Sequence, residues 1–197
     1  RRHTRLRTVT GVQTCALPIF YVVTNGKIKL GTKSQDGREN LLMILGPGEM
    51  FGDLSLFDAG PRTATATAVT DSILLSLGQD KVIPWVKEHP GVSLHLLARL
   101  ASRLRRTNEV VGDLVFSDVP GRVAKALIDL GIKFGVKKDE GFLVNHDLTQ
   151  EELAQLVGAS RETVNKALAD FAGRGWLKLD GRAVLITDLD RLSKRSK

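Results

Sequence analysis

From Phe20 onward, short runs of apolar residues alternate with turn residues. Tyr21-Val-Val-Thr24 and Lys27-Ile-Lys-Leu30 flank Asn25-Gly26, which predicts two strands joined by a type I′ hairpin turn. Asp36-Gly37 leads into Leu41-Leu-Met-Ile-Leu45, and Gly46-Pro-Gly48 ends that strand. The alternation Thr63-Ala-Thr-Ala-Thr-Ala-Val69 and the apolar stretch 73–77 predict two more strands. Strands this short and regularly spaced suggest a small barrel or roll.

The period changes near Gln79 and is fully helical after Pro90. Leu97, Leu100, Leu104, Thr107, Val111 and Leu114 recur at spacings of three and four, a heptad seam on one long helix. A narrow apolar stripe on an otherwise charged helix points to a second helix across it, hence a homodimer. Packing on its own domain is the plainer alternative. Asp118-Val-Pro-Gly121 is a hinge-like break, and a further helix runs to about Gly135. Thr149-Gln-Glu-Glu152 is a capping box opening a helix, Gly158 supplies a turn, and Ser160 caps a second helix. Trp176 to Leu179 and Arg182 to Ile186, around Asp180-Gly181, predict a hairpin. Helix, turn, helix, hairpin is the winged helix-turn-helix order. The fold class is therefore α+β.

The 197 residues are 42% hydrophobic and 26% charged, with net charge +7. That composition excludes disorder throughout, and no apolar run reaches the ~20 residues of a membrane span. The single cysteine, Cys15, and four scattered histidines argue against a disulfide, a zinc cage or an iron–sulfur cluster, so no metal is expected. Neither a phosphate-binding Gly-Lys loop nor an HExxH helix is present, so catalysis is not expected. Charge is uneven: +4 over residues 1–19, −1 over 20–91, +1 over 92–118 and +3 over 119–197. The same divisions are the expected domains: a leader, a roll, a dimerisation helix and a winged helix-turn-helix. Residues 1–19 read as adapter read-through joined to a truncated gene. A basic nucleic-acid-binding arm and a targeting leader remain alternatives.

Three motifs carry chemistry. In the first, Gly48-Glu-Met-Phe-Gly-Asp-Leu54 is followed by Pro61-Arg-Thr-Ala64. Arg62 can pair with a phosphate, Thr63 can donate a hydroxyl, and Gly52 lets backbone approach closely. The second is Arg103-Leu-Arg-Arg-Thr-Asn108, which places polar groups in the helical seam. In the third, residues 150–166, Arg161, Glu162 and Lys166 share the outward N-terminal face of the second helix. There Arg161 can contact guanine and Glu162 can accept from cytosine, while Gln150, Ser160 and Thr163 are candidate phosphate contacts.

From Tyr21 to about Ile186, these motifs together resemble the CRP/FNR superfamily of transcription regulators, in its actinobacterial cyclic-AMP receptor branch. The resemblance implies a cyclic-nucleotide-binding β-roll, here lacking its N-terminal strands, with cyclic AMP (cAMP) as effector. It implies a pocket of Gly52, Asp53, Leu54, Arg62 and Thr63, with Asp53 accepting the ribose 2′-hydroxyl where the family usually has Glu. Arg103 links the helix to the ribose–phosphate site, and Thr107 and Asn108 meet the adenine from the two subunits. Lys166 stands where many relatives have Arg. The implied partners are a palindromic operator with TGTGA-like half-sites and RNA polymerase, in the cytoplasm. Another effector or none, a non-functional fragment, and an enzyme-linked cyclic-nucleotide module are the alternatives.

Overall fold

A computed structural model describes residues 2–5, 8–9, 20–58 and 62–196. Cys15 and Pro61 lie outside the described residues. The chain divides into two units, Arg1–Glu109 and Val110–Lys197.

The first unit is built of strands β1 (Arg2–Arg5), β2 (Thr8–Val9), β3 (Phe20–Asn25), β4 (Ile28–Lys33), β5 (Glu39–Leu45) and β6 (Met50–Phe51). Then come the short helix α1 (Leu54–Phe57), strands β7 (Thr65–Ala68) and β8 (Ile73–Leu77), and helix α2 (Gln79–Glu88). Two four-stranded antiparallel sheets form, in the orders β1-β8-β3-β6 and β2-β7-β4-β5. Alternation puts Tyr21, Val23, Ile28, Leu30, Leu45, Phe51, Ala66 and Leu74 into one core between them.

The expected Asn25-Gly26 hairpin is not what forms. β3 pairs with β6 and β8, whereas β4 pairs with β5 and β7. A type I′ turn needs positive φ at both central residues, and only Gly26 has it, at +85°. Gly26 is a corner where the chain crosses between sheets. A Cβ there would stand 2.4 Å from the Asp71 carbonyl, so glycine is required twice over, by conformation and by space. The other turn is a true hairpin, with Gly37 between β4 and β5. Segment 1–19, left out of the predicted fold, contributes β1 and β2, paired with β8 and β7. Backbone pairing to an open strand edge needs no hydrophobic period, which is why the pattern did not reveal it.

Helix α3 (Pro90–Phe116) has 27 residues and belongs to both units. Leu96 is its buried position, and it packs with Phe20 and Val82. The expected seam is open along the chain: Leu97 is 61% exposed, Leu104 62% and Val111 55%. Leu94, Val110, Val115 and Phe116 are exposed as well, so the apolar strip is wider than the heptad alone suggested.

The second unit adds α4 (Val119–Phe134), β9 (Gly135–Lys138), β10 (Gly141–Asn145), α5 (Gln150–Val157), α6 (Arg161–Gly173), β11 (Leu177–Asp180), β12 (Ala183–Ile186) and α7 (Leu189–Arg195). The capping box is present: the Glu152 amide donates to Thr149 Oγ1 (3.1 Å) and the Thr149 amide to Glu152 Oε2 (2.8 Å). Gly158 ends α5 in the left-handed region, and the Ser160 hydroxyl accepts from the Thr163 amide at the start of α6. Leu153, Val157, Val164, Leu168 and Phe171 are buried together with Leu127 of α4. The wing hairpin is not alone, because β9 and β10 extend it into a sheet of order β11-β12-β10-β9.

Asp118 caps α4 by accepting from the Gly121 amide, and Arg195 of α7 donates to its other oxygen at 2.6 Å. That guanidinium bond, with the amide bond behind it, holds the Asp118 carboxyl below its usual range. A depressed folded-state pKa means stability that is complete above the unfolded value, near ~3.9, and lost as pH falls below it. Asp118→Asn keeps the cap and removes the charge. It should therefore be less stable than wild type at pH 7, with the deficit shrinking as pH falls below the unfolded value and through the lowered folded one, as checked by urea midpoints across that range.

Candidate functional site

Strand β5, the turn after it and helix α3 enclose a cavity of about 110 Å³ in the first unit. Met43 and Leu45 line one side, residues 48–50 and Asp53 the rim, and Arg99, Ser102 and Arg103 the helical wall. The rim is fixed locally. The Gly46 amide donates to Glu49 Oε2 (2.8 Å), and Gly48 and Gly52 both take positive φ, at +83° and +84°. At Gly52 that conformation, which other residues rarely adopt, turns the chain so that Asp53 points inward and is buried.

Asp53 is not left unpaired. Arg103 Nη1 donates to both of its oxygens, at 2.7 and 3.0 Å, and Nη2 donates to the Met50 carbonyl at 3.2 Å. One guanidinium thus joins the turn to the long helix across fifty positions of sequence. Thr107, one helical turn further on, is exposed and donates its hydroxyl to the Arg103 carbonyl (3.0 Å). Asn108 beside it is exposed too.

The structure therefore brings together Asp53 and Arg103, with Gly52 and Leu54 flanking the carboxylate. Arg62 and Thr63 are exposed on the approach to β7 and are not in the cavity wall. The charge of Arg62 is felt at Tyr21, whose hydroxyl burial pushes up and Arg62 pulls back. Arg99 and Ser102 were missed from the sequence. Arg99 stands four residues before Arg103 on the same helix, which was the available signal, whereas Ser102 offered none.

In the second unit, Arg161, Glu162, Thr163 and Lys166 of α6 are all exposed, opposite the buried Val164, Ala167 and Leu168. Gln150 is the exposed first residue of α5. Lys166 and Glu162 form an exposed i,i+4 ion pair at 2.8 Å. The N-terminus of α6 carries the positive end of the helix dipole, which favours an anion there. Among the described residues no group of three or more His, Cys, Asp or Glu could hold a metal ion, and no helix is long and apolar enough to cross a membrane.

Residues 16–89 match the model of the cyclic nucleotide-binding domain, and residues 121–195 that of the Crp-like helix-turn-helix domain. A CRP-like cAMP-activated global transcriptional regulator of Mycobacterium tuberculosis is 55% identical over 178 residues, 90% of this chain and 80% of the relative. The chain belongs to the CRP/FNR family of transcription regulators. The cyclic AMP receptor protein of Thermus thermophilus is 38% identical over 162 residues, covering 81% of this chain and 71% of that one. In fold, this CRP/FNR regulator is similar to a solved CRP/FNR transcriptional regulator of Thermus thermophilus. That TM-score is 0.81 at 23% identity, over 99% of this chain and 98% of the other. The family's architecture of roll, long helix and winged helix-turn-helix is the one described above.

Removing Arg103 from this regulator would strand a buried carboxylate. A fully buried pair loses about 3–5 kcal/mol when one partner goes, and the partial exposure of Arg103 lowers the expected cost to about 2–3 kcal/mol. Arg103→Ala should show that loss in urea unfolding. Asp53→Asn in the Arg103→Ala background should recover part of it, since the stranded charge is then gone.

Proposed function

We propose that this chain is a cAMP-responsive, homodimeric, DNA-binding regulator. The observation that carries the reading is the cavity joined to α3 by the Asp53–Arg103 pair. A ligand held there changes the surroundings of the same helix that bears the open apolar strip. The unit boundaries proposed are a roll over residues 20–91, a dimerisation helix over 92–118 and a DNA-binding domain over 119–197. Gly52, Asp53 and Leu54 form the ribose side of the pocket, and Arg62 with Thr63 the phosphate side. Arg103 links the two to the helix. Thr107 and Asn108 meet the adenine at the seam between two copies of α3. Their exposure on the single chain is consistent with that placement.

Arg62 and Thr63 lie outside the cavity lining, and in this reading they complete the site on the phosphate side. A charge-assisted hydrogen bond to phosphate is worth about 1.5–3 kcal/mol, or roughly 10–150-fold in affinity. Arg62→Ala should weaken cAMP binding by that factor in calorimetry. Unchanged affinity would remove Arg62 from the phosphate site.

On DNA, a two-fold dimer places the recognition helices α6 about 34 Å apart, so the target is a palindrome read in successive major grooves. TGTGA-like half-sites are proposed, with Arg161 and Glu162 on base edges and Lys166 beside them. Gln150, Ser160 and Thr163 hold the backbone. RNA polymerase is the further partner, and the cytoplasm the compartment. Arg161→Ala should cost about 1–3 kcal/mol per half-site and relax preference at one base pair. Thr163→Ala should weaken every sequence alike. Selection from randomised half-sites separates the two. Equal weakening on all sequences by Arg161→Ala would make Arg161 a backbone contact.

A further inference from the structure

Helical spacing sets which side of α3 meets the roll. Leu96 is the buried position, and Arg99 and Arg103 follow it at i+3 and i+7 on the same face. Leu97, Leu104 and Val111 of the open apolar strip lie on another face. Both arginines line the cavity, and so do the acids Glu49 and Asp53. These charges balance, but they are not equally engaged. Arg103 gives Nη1 to the Asp53 carboxylate and Nη2 to the Met50 carbonyl. Glu49 Oε2 accepts from the Gly46 amide. Arg99 is exposed and has no hydrogen-bond or ion-pair partner among the described residues. Like charges four residues apart destabilise a helix, and Asp53 relieves only one of the two. The cavity wall therefore carries a guanidinium whose donors are unspent within the chain.

We propose that Arg99 is a further ligand-binding residue, which donates from α3 to the phosphate of the cyclic nucleotide. The inference deepens the cAMP-responsive reading and rests on it. Arg103 is not available for this contact while Asp53 and the Met50 carbonyl hold its guanidinium. Arg62 and Thr63 approach from the loop before β7, outside the cavity lining. A cyclic phosphodiester keeps two unesterified oxygens, so a cation on the helix and a cation on the loop can share it.

The test is calorimetry of cAMP on the full chain at about 0.05 M and about 0.5 M salt, with sedimentation of each variant. Arg99→Ala should bind cAMP about tenfold more weakly at low salt, the lower end for a charge-assisted bond because Arg99 is exposed. The gap should narrow at high salt, where exposed charges are screened. Arg99→Gln, also neutral, should match the alanine variant and replaces it if thermal melts show that the latter does not fold. Arg99→Lys should recover part of the loss, since it keeps the charge without the fork. Cyclic GMP, with the same ribose phosphate and another base, should lose the same factor. Unchanged cAMP affinity overturns the proposal. A loss equal at both salts and as large in Arg99→Lys makes Arg99 a structural prop and overturns it too. Loss confined to cAMP puts Arg99 on the base, and loss together with the dimer puts it at the seam; either result sinks the phosphate contact. A wild-type chain that binds no cAMP overturns the functional reading and this inference with it. That failure is read from the wild type alone and is distinct from failure of the variants.

Discussion

A carboxylate taken out of water has to be answered, and Asp53 is answered by Arg103. Desolvating two charges costs several kcal/mol per ion, and the pair recovers this only if the remaining donors and acceptors are also used. Here they are: Nη1 serves both carboxylate oxygens and Nη2 serves the Met50 carbonyl. The pair therefore fixes the 48–53 turn against α3 and leaves the cavity between them. The apolar contact of Leu96 with Phe20 and Val82 seats the helix, but such contact is non-directional. The guanidinium sets the register. In the proposed function this makes the ligand pocket and the part of α3 beside it a single element.

Much of this was visible in the residues, and the failures share a cause. Caps and turns were read correctly where a short-range rule decides them. The Thr149–Glu152 box and the Ser160 cap each satisfy orphan amides within three residues. The exposed face of α6 followed from its 3.6-residue period. What sequence pattern could not supply was pairing between strands. Asn25-Gly26 has the composition of a hairpin turn, yet β3 and β4 lie in different sheets that face one shared core, and that tertiary demand overrides the local preference. Strand β9 was missed because Gly-Val-Lys-Lys has little β-pattern, and β10, Gly-Phe-Leu-Val-Asn, was missed with the partner it pairs with. Asp139-Glu-Gly141 was the turn signal between them. Helix α7 was missed for its shortness, although Asp188 caps it. Within the candidate site, the Asp53–Arg103 pair is a long-range fact that periodicity could not supply; the family resemblance put Arg103 beside the ribose–phosphate site without pairing it to Asp53.

In the proposed function, the exposed face of α6 has contacts to give up on binding DNA. The Glu162–Lys166 pair is highly exposed, and such pairs contribute about 0.2–1 kcal/mol, so a duplex opens it at little cost. The two hydroxyls behave differently. Ser160 Oγ accepts from the Thr163 amide, and that cap is worth about 1 kcal/mol. It also lies 2.9 Å from Thr163 Oγ1, so one of the two hydroxyl hydrogens is spent between them. Only the other hydrogen is left to donate to a phosphate. Ser160 and Thr163, read from the sequence as two backbone contacts, therefore act as a single donor while the cap holds. In the proposed function the capped N-terminus of α6 thus offers one hydroxyl to a DNA phosphate, beside the positive end of the helix dipole.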